Sequence, residues 1–410
     1  MSKDGTRPKI RMELDFFPIV HDGEKMIGIR DPLGLAENTI LVPPHAFYLI
    51  ALMDGQSSLD QIQDGFAKKF NHTVPLEQIS DLVERLDAEG FMHSSRFKVR
   101  IMAVEEAFRN APVRSSALAG QSYPKDREEL RVLIHSFFDQ APENESAGEG
   151  PLSGIIAPHI DVHRGSALCA RANKALKNQS APHTVLLFGT AHFGEGNAYI
   201  LANKGFETPF GISRVDAAFA DHLIRHCSFD IEKGLLSHRY EHSIEFQVVF
   251  LQHLFGADEG PLIVPVLCGN MIDKIPAGLS PETLPQVASF LEAAEGAIQR
   301  CKGPVLVVAG ADMSHVGPRF GTAEPLTPEF IEKVRAEDIA ALKAAADCDA
   351  ESFFQSVAGI QNRNNICSVT QIYTLLKLLQ HTSGTLLSYD MAVDEDNGTA
   401  VGFAALNFRK

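Results

Sequence analysis

The chain has 410 residues, of which 45% are hydrophobic and 22% are charged, a composition typical of a soluble globular protein with two or three domains. Its formal net charge of -15 argues against a nucleic-acid-binding role. The sequence contains neither a secretory signal nor an apolar stretch of the roughly 18 residues that a membrane span needs. Six scattered cysteines without a CxxC pair favour reduced thiols in a cytoplasmic protein over disulfides.

The first 110 residues are expected to form a separate small domain. Short β-like pieces over residues 16–42 are followed by three amphipathic or apolar helical patterns, at 45–53, 59–70 and 76–89. Ser58 is a candidate N-cap for the second helix, and Gly90 is a candidate terminator of the third. With a return strand starting at Phe91–Met92, these elements predict a winged-helix-like α+β unit. It has no histidine or cysteine cluster, so we expect no chemistry there.

The remaining residues, 111–410, have the alternating pattern of an α/β domain. An amphipathic helix is predicted over Asp126–Phe138, and a polar loop is predicted over Pro142–Gly150. Strands and helices alternate from Gly154 onward, with later strands expected near residues 262–267, 385–389 and 402–408.

Three apolar strands each run into a histidine. They are GIIAPH, ending at His159, TVLLFGTAH, ending at His192, and PVLVVAGADMSH, ending at His315. Apolar runs without alternation are typical of parallel strands that are covered on both faces. Because ligands bind outside the carboxyl ends of such strands, the three histidines predict one shared metal or catalytic site. For His159 taken alone, a buried imidazole bonded to the backbone is the competing interpretation. His192 alone, in a glycine-rich turn, is weak evidence, and the alternative for Asp312 and His315 is a solvent-facing loop.

Two carboxylate–histidine pairs are further candidates. Asp312 lies three residues before His315 and could orient it or raise its basicity. His242 and Glu245 are three residues apart at the start of an apolar helix, so they share a face. The second pair is equally consistent with an ordinary helix start, where acidic residues are favoured.

Cys367 precedes an apolar helix that is predicted over Thr370–Leu379. A thiol at a helix N-terminus has a lowered pKa and can act as a thiolate. Residue type alone does not favour Cys367 over Cys268, and a buried, inert cysteine is the alternative for both.

Taken together, these segments resemble the MEMO family, in the form called AmmeMemoRadiSam system protein B. The resemblance covers about residues 113–410 and rests on ordered motifs, AGQSYPKDREEL, GIIAPHID, LLFGTAHFG, EHSIEFQ, GADMSHVG, NICS and LLSYD…GTAVGFAAL. The N-terminal domain resembles the PqqD-like peptide-binding modules through LMDGQSSLDQI and VPLEQISDLVERLDAEGFM.

The resemblance implies a fold similar to that of the class III extradiol dioxygenases, with a central, mostly parallel sheet flanked by helices. It implies that His159 and His192 bind a metal and that Cys367 takes the place of the third ligand. Asp312 and His315 match the remaining pocket pair, with His315 at the place of the acid/base histidine. A thiolate in place of the usual carboxylate suits iron, copper or zinc and argues against ordinary ring cleavage.

Three functional interpretations follow. The first is a metal-dependent, dioxygenase-like oxidoreductase using iron or copper, with His315, Asp312 and His242 as catalytic residues. The second is a non-enzymatic peptide-binding or adaptor protein whose N-terminal domain presents a peptide to a radical SAM enzyme. The third is sequestration of copper(I).

Overall fold

The computed structural model describes two compact units, Met1–Asn110 and Ala111–Lys410, called here the N-terminal and C-terminal units. The described residues are 7–36, 38–142, 150–177, 179–193, 197–276 and 278–410. Apart from its two end residues, the loop predicted over Pro142–Gly150 lies outside the described residues.

The N-terminal unit combines a small antiparallel sheet with four helices. The strands pair in the order β1-β2-β3, and the elements are β1 (Asp15–His21), β2 (Glu24–Arg30), β3 (Ile40–Val42), α1 (Pro44–Ala51), α2 (Leu59–Phe70), α3 (Leu76–Glu89) and α4 (Ser95–Asn110). Ser58 forms a capping box with Gln61, and Gly90 ends α3 in the left-handed region, at φ 89°, as predicted.

The sequence-based description of this unit needs one correction. Phe91 and Met92 do not begin a strand, because Met92 forms only a single antiparallel bridge, with Ile10. The chain turns instead into α4, a helix that was not predicted and whose exposed face carries Val99 and Met102. The winged-helix description therefore stays a prediction.

The C-terminal unit alternates strands and helices over most of its length. Its elements are β4 (Val113–Arg114), α5 (Arg127–Gln140), β5 (Leu152–Ala157), α6 (Val162–Lys174), β6 (Thr184–Thr190), β7 (Tyr199–Leu201), β8 (Gly205–Thr208), β9 (Gly211–Ser213), α7 (Ala217–His226), α8 (His242–Phe255), β10 (Leu262–Cys268), α9 (Pro285–Arg300), β11 (Val305–Gly310), β12 (Asp312–Val316), α10 (Pro328–Ala346), α11 (Ala350–Ala358), α12 (Val369–Leu378), β13 (Ser383–Asp394) and β14 (Thr399–Arg409). Among the described helices, none combines the length and apolarity that a bilayer crossing requires.

The main sheet is mixed rather than mostly parallel, which corrects the prediction. Its order is β12-β14-β5-β11-β6-β10-β7, with β13 paired to β14. The pairings among β5, β11, β6 and β10 are parallel, whereas β14 runs antiparallel to β5, β12 and β13. At one side of the sheet the cause is the last 28 residues of the chain, which form a long hairpin whose strand β14 pairs with β5. At the other edge, β7 pairs antiparallel with β10.

The central strands β5 and β6 are buried along their whole length, and β11 is buried from Leu306 on. Helix α8 lies close against the end of this sheet. A Cβ atom on Gly189 would lie 2.5 Å from Oγ of Ser243, and one on Gly310 would lie 2.6 Å from the Ser243 carbonyl oxygen. Glycine at both strand ends therefore admits the first turn of α8, which begins with His242.

Asp338 is a buried carboxyl group on α10 that ties this helix to the sheet. It accepts hydrogen bonds from the Ser314 hydroxyl on β12 and from the Tyr389 hydroxyl on β13, the latter at 2.8 Å. Burial raises the pKa of Asp338 from its ordinary value of 3.8 to about 6, and these hydrogen bonds only partly offset the effect.

We predict that Asp338 makes the protein less stable as the pH rises from about 4 to about 6. The folded state holds the proton more tightly than the unfolded chain, so ionising this carboxyl group costs folding free energy across that window, on the order of 3 kcal/mol in full. Comparing melting temperatures of wild type and Asp338→Asn from pH 4 to 7 checks this. The variant should lose this part of the pH dependence, and parallel curves would contradict the prediction.

Candidate metal centre

Three histidines meet at the carboxyl edge of the central sheet. His159 follows β5, His192 follows β6 and His242 begins α8. One ligand nitrogen from each lies within 4.8 Å of the other two. The ring centroids of His192 and His242 are 4.7 Å apart, and His159 meets both rings edge-on. These three residues are called the histidine cluster below.

Each ring of the histidine cluster is oriented through its Nδ1 atom. Nδ1 of His159 lies 2.8 Å from the carbonyl oxygen of Gly310. Nδ1 of His192 and Nδ1 of His242 lie 3.0 and 3.1 Å from Oε1 of Glu241. Because these acceptors hold a proton on Nδ1, the Nε2 atoms keep a lone pair for a metal or a proton.

Cys367 lies against this cluster. Its Sγ atom is 3.5 Å from Nε2 of His159. Metal bonds of about 2.3 Å to sulfur and about 2.0 Å to nitrogen, at a tetrahedral angle, place the two ligand atoms about 3.5 Å apart. The hydroxyl of Ser368 lies 3.4 Å from the same sulfur.

The surroundings of Cys367 stabilise its thiolate. Burial by itself raises the pKa of this thiol, but the charges of His159 and His315 and hydrogen bonds with His159 and His192 outweigh burial. The pKa of Cys367 is therefore held well below its ordinary value of 9.0. Helix α12 begins only at Val369, after the N-cap Ser368. Cys367 therefore lies one residue before the N-cap of α12, and the neighbouring histidines lower the pKa of its thiol.

Asp312 contacts His159, whereas the sequence analysis expected it to orient His315. Its Oδ1 atom accepts a hydrogen bond of 3.0 Å from the backbone N–H of His159, and its Oδ2 atom lies 3.5 Å from Nε2 of that residue. Burial lowers the pKa of His159, but the charges of Asp312 and Cys367 outweigh burial and raise it to about 9.

His315 lies on β12, and its ring is oriented by a backbone carbonyl. Its Nδ1 atom is 2.9 Å from the oxygen of Met313, and the ring packs edge-on against Phe320. Its charge acts on Cys367, so it lies within electrostatic range of the thiolate. His315 is thus a neighbour of the centre, and its Nε2 atom has no hydrogen-bond partner within the described part of the chain.

Glu241 is the main residue that the sequence analysis missed. Its buried carboxylate caps α8, accepts from the backbone N–H groups of His242 and Ser243, and contacts the Nδ1 atoms of His192 and His242. The two histidine charges hold the pKa of Glu241 well below its ordinary value in spite of burial. Its position directly before His242, at a helix start, was the available signal.

We predict that Glu241→Gln weakens metal binding about 10- to 100-fold, because outer partners fix the ring orientation and tautomer of ligating histidines. The amide can still cap α8, so the fold should persist. Competition titration with a metal chelator measures the change, with Glu259→Gln, an exposed glutamate in the same unit, as the control. Equal affinities of Glu241→Gln and wild type would contradict the prediction.

Glu245, predicted to share a face with His242, points away from the histidine cluster. It is fully buried and forms an ion pair with Arg114. It also accepts hydrogen bonds from the hydroxyls of Ser116 and Tyr123 and from the backbone N–H groups of Ala117 and Leu118. These contacts hold the segment that follows β4 against α8.

The same ion pair supports the site indirectly. Arg114 donates 2.9 Å hydrogen bonds to the carbonyl oxygens of His238 and Glu241. The backbone that carries the Glu241 carboxylate is therefore fixed by a buried guanidinium group.

The centre is buried on one side and open on the other. The side chain of His159 is 1% exposed, whereas those of His192 and His242 are 23% and 33% exposed. The partly exposed rings of His192 and His242 therefore leave one side of the histidine cluster accessible to solvent.

A family model matches the part of the chain that contains this centre. The family model of the Memo-like protein matches residues 114–407, which is most of the chain. The chain belongs to the Memo-like protein family. The match includes all the residues described above that form the centre, from Arg114 to Cys367.

Several curated members of this family are similar to the chain. A MEMO1 family protein of Aquifex aeolicus is 26% identical over 405 residues, covering 98% of this chain and 100% of its own length. A MEMO1 family protein of Thermus thermophilus is 28% identical and covers 86% of this chain and 99% of its own. One from Methanopyrus kandleri is 31% identical and covers 72% of this chain and 99% of its own. The N-terminal unit is therefore included in the alignment with the Aquifex aeolicus protein.

Proposed function

We propose that this Memo-like protein binds one redox-active transition metal, iron(II) or copper(I), and uses it to oxidise or reduce a substrate. The ligands in this proposal are His159, His192 and Cys367. The observation that carries it is the approach of a low-pKa thiol to within 3.5 Å of an imidazole Nε2 whose Nδ1 is held by a carbonyl.

The donor set fits such a metal. A thiolate with imidazoles selects copper(I), zinc or iron over magnesium or calcium, which prefer oxygen ligands. Of the two nearby carboxylates, Glu241 is engaged with the Nδ1 atoms of two histidines. Oδ1 of Asp312 accepts from a backbone N–H, and its Oδ2 lies 3.5 Å from Nε2 of His159. A metal bound there supplies one-electron redox chemistry and a Lewis acid.

The chain's own residues would bind the substrate and move protons. His242 is the most exposed ring of the histidine cluster. Its Nδ1 atom contacts Glu241, and none of the described residues forms a hydrogen bond with its Nε2 atom. His315 has the same arrangement, with Nδ1 on the Met313 carbonyl. Each can exchange a proton at Nε2 with a substrate that enters from the open side. Asp312 holds the His159 backbone and is a positioning residue in this proposal.

The test is turnover by the iron-loaded protein in an oxygen electrode, with a catechol as the substrate probe. His315→Gln should keep its iron and lose oxygen uptake, whereas His135→Gln, an exposed histidine on α5, should match wild type. Tight copper(I) binding without any turnover would replace the enzymatic proposal by copper sequestration. Full oxygen uptake by His315→Gln would remove His315 from the proton path.

A second candidate function concerns the N-terminal unit, for which we propose a peptide-binding role beside a radical SAM partner. Strand β1 pairs only with β2 in the described sheet, and Phe16, Ile19 and Val20 on β1 are exposed. An edge strand with apolar side chains can accept an extended peptide. Co-purification of the full chain with a co-expressed radical SAM protein tests this. Val20→Lys should abolish capture, and equal capture would contradict the proposal.

A further inference from the structure

A second group of potential metal ligands lies at the opposite, amino edge of the same sheet. His183 directly precedes β6, Asp216 precedes α7 and Cys301 follows α9. One ligand atom from each lies within 4.8 Å of the other two. Because β6 begins here and ends at the histidine cluster, its seven residues separate the two groups by about 20 Å.

This group lines a cavity of about 470 Å³ between α7 and α9. Asp216 is buried, and His183 and Cys301 are partly buried. His222 on α7 lines the same cavity. Arg300 lines it too, but its guanidinium donates a 2.9 Å hydrogen bond to the carbonyl oxygen of Gly296 in its own helix. An imidazole, a carboxylate and a thiol therefore share one accessible space.

A buried hydroxyl orients two of these ligands. The Thr184 hydroxyl donates a 2.6 Å hydrogen bond to Oδ2 of Asp216 and lies 3.5 Å from Sγ of Cys301. The other oxygen, Oδ1, accepts from the backbone N–H of Phe219. Each carboxylate oxygen retains a further lone pair, so Asp216 is fixed in place without losing its capacity to bind a cation.

The third ligand has room only because a glycine lies beside it. A Cβ atom on Gly303 would lie 2.8 Å from Cβ of His183. The backbone N–H and carbonyl of His183 are held at 2.9 Å by Pro304 and at 3.1 Å by Leu262. The backbone position of His183 is therefore fixed by its neighbours on both sides.

We propose that His183, Asp216 and Cys301 form a second metal site, of the zinc type. A carboxylate and a thiolate neutralise the two positive charges of zinc, and an imidazole completes a three-residue set that leaves the fourth tetrahedral position for water. Binding releases the thiol proton to solvent, and the metal forms bonds to Sγ of Cys301, to a nitrogen of His183 and to a carboxylate oxygen of Asp216. The site requires no metal in the histidine cluster.

The first test is the zinc content of the full chain after equilibrium dialysis against zinc alone. His183→Gln and Cys301→Ala should each bind one zinc fewer per chain than wild type, while Cys348→Ala, a partly buried cysteine elsewhere, should match wild type. Thr184→Val should weaken this zinc about 10- to 100-fold through the lost outer hydrogen bond. Wild-type zinc content in both His183→Gln and Cys301→Ala would overturn the proposal.

A second measurement uses the wild-type protein, so its result does not depend on whether the variants fold. Zinc should slow iodoacetamide alkylation of Cys301 at least about tenfold, as the metal occupies the thiolate, with Cys348 as the internal reference in the same digest. An unchanged rate at Cys301 would overturn the proposal. In Cys367→Ala the zinc that depends on Cys301 should remain, so failure of the histidine-cluster centre and failure of this site give different results.

Discussion

Replacing Glu245 with alanine is expected to destabilise the C-terminal unit by about 3–5 kcal/mol. The substitution leaves the guanidinium of Arg114 charged and unpaired in a fully buried position, and such a charge is far more costly than a lost surface contact. It also removes the acceptor of four further hydrogen bonds, from Ser116, Ala117, Leu118 and Tyr123. Urea unfolding followed by circular dichroism measures the change.

The matched control is the exposed pair of Glu128 and Arg131 on α5, whose atoms are 2.8 Å apart. Glu128→Ala should change stability by no more than about 1 kcal/mol, because exposed ion pairs contribute little. The double variant Arg114→Met with Glu245→Leu should recover part of the loss, since both buried charges are removed together. If Glu245→Ala and Glu128→Ala lower the free energy of unfolding equally, the predicted larger contribution of the buried pair is wrong.

Replacing Cys367 with alanine is expected to weaken metal binding by more than the roughly 10- to 100-fold that the loss of an outer partner costs. The thiolate is the one strongly electron-donating ligand in the proposed set, and its pKa is already lowered for that role. Titration with cobalt(II) measures this directly, because thiolate ligation gives an intense near-ultraviolet charge-transfer band.

His242→Ala is the informative comparison, because His242 is the third member of the histidine cluster. If Cys367 is the third ligand, His242→Ala keeps the charge-transfer band and loses less than about tenfold in affinity. Because the second site also contains a cysteine, the spectra are recorded in the Cys301→Ala background. A band that survives Cys367→Ala and disappears in His242→Ala would reverse the assignment of these two residues.

The helices and parallel strands were predictable because their signals are local. Helices α2 and α3 have the predicted bounds, 59–70 and 76–89, since Ser58 and Gly90 mark their ends chemically. Strands β5, β6 and β11 were recognisable as continuous apolar runs. The direction of β14 in the sheet was not predictable, because it is set by pairing with β5, a strand far from β14 in the sequence.

The meeting of His159 and His192 followed from the rule that parallel strands share a carboxyl edge. No such rule predicted three contacts in and around the centre. Asp312 is closer in sequence to His315 than to His159, yet its carboxylate contacts His159 across 153 positions. Arg114 meets Glu245 across 131 positions. Glu241 was not predicted as a site residue, because helix capping alone accounts for an acidic residue directly before a helix. Its contacts with two imidazoles are seen only in the structure.

The most direct test of the proposed centre is the metal content of anaerobically purified protein, measured for wild type, His192→Ala, Cys367→Ala and the control Cys348→Ala. We expect about one iron or copper per chain in wild type and in Cys348→Ala, and loss of that metal in the other two, because each removes a ligand. Wild-type iron or copper in both His192→Ala and Cys367→Ala would contradict a metal centre at the carboxyl edge of this sheet.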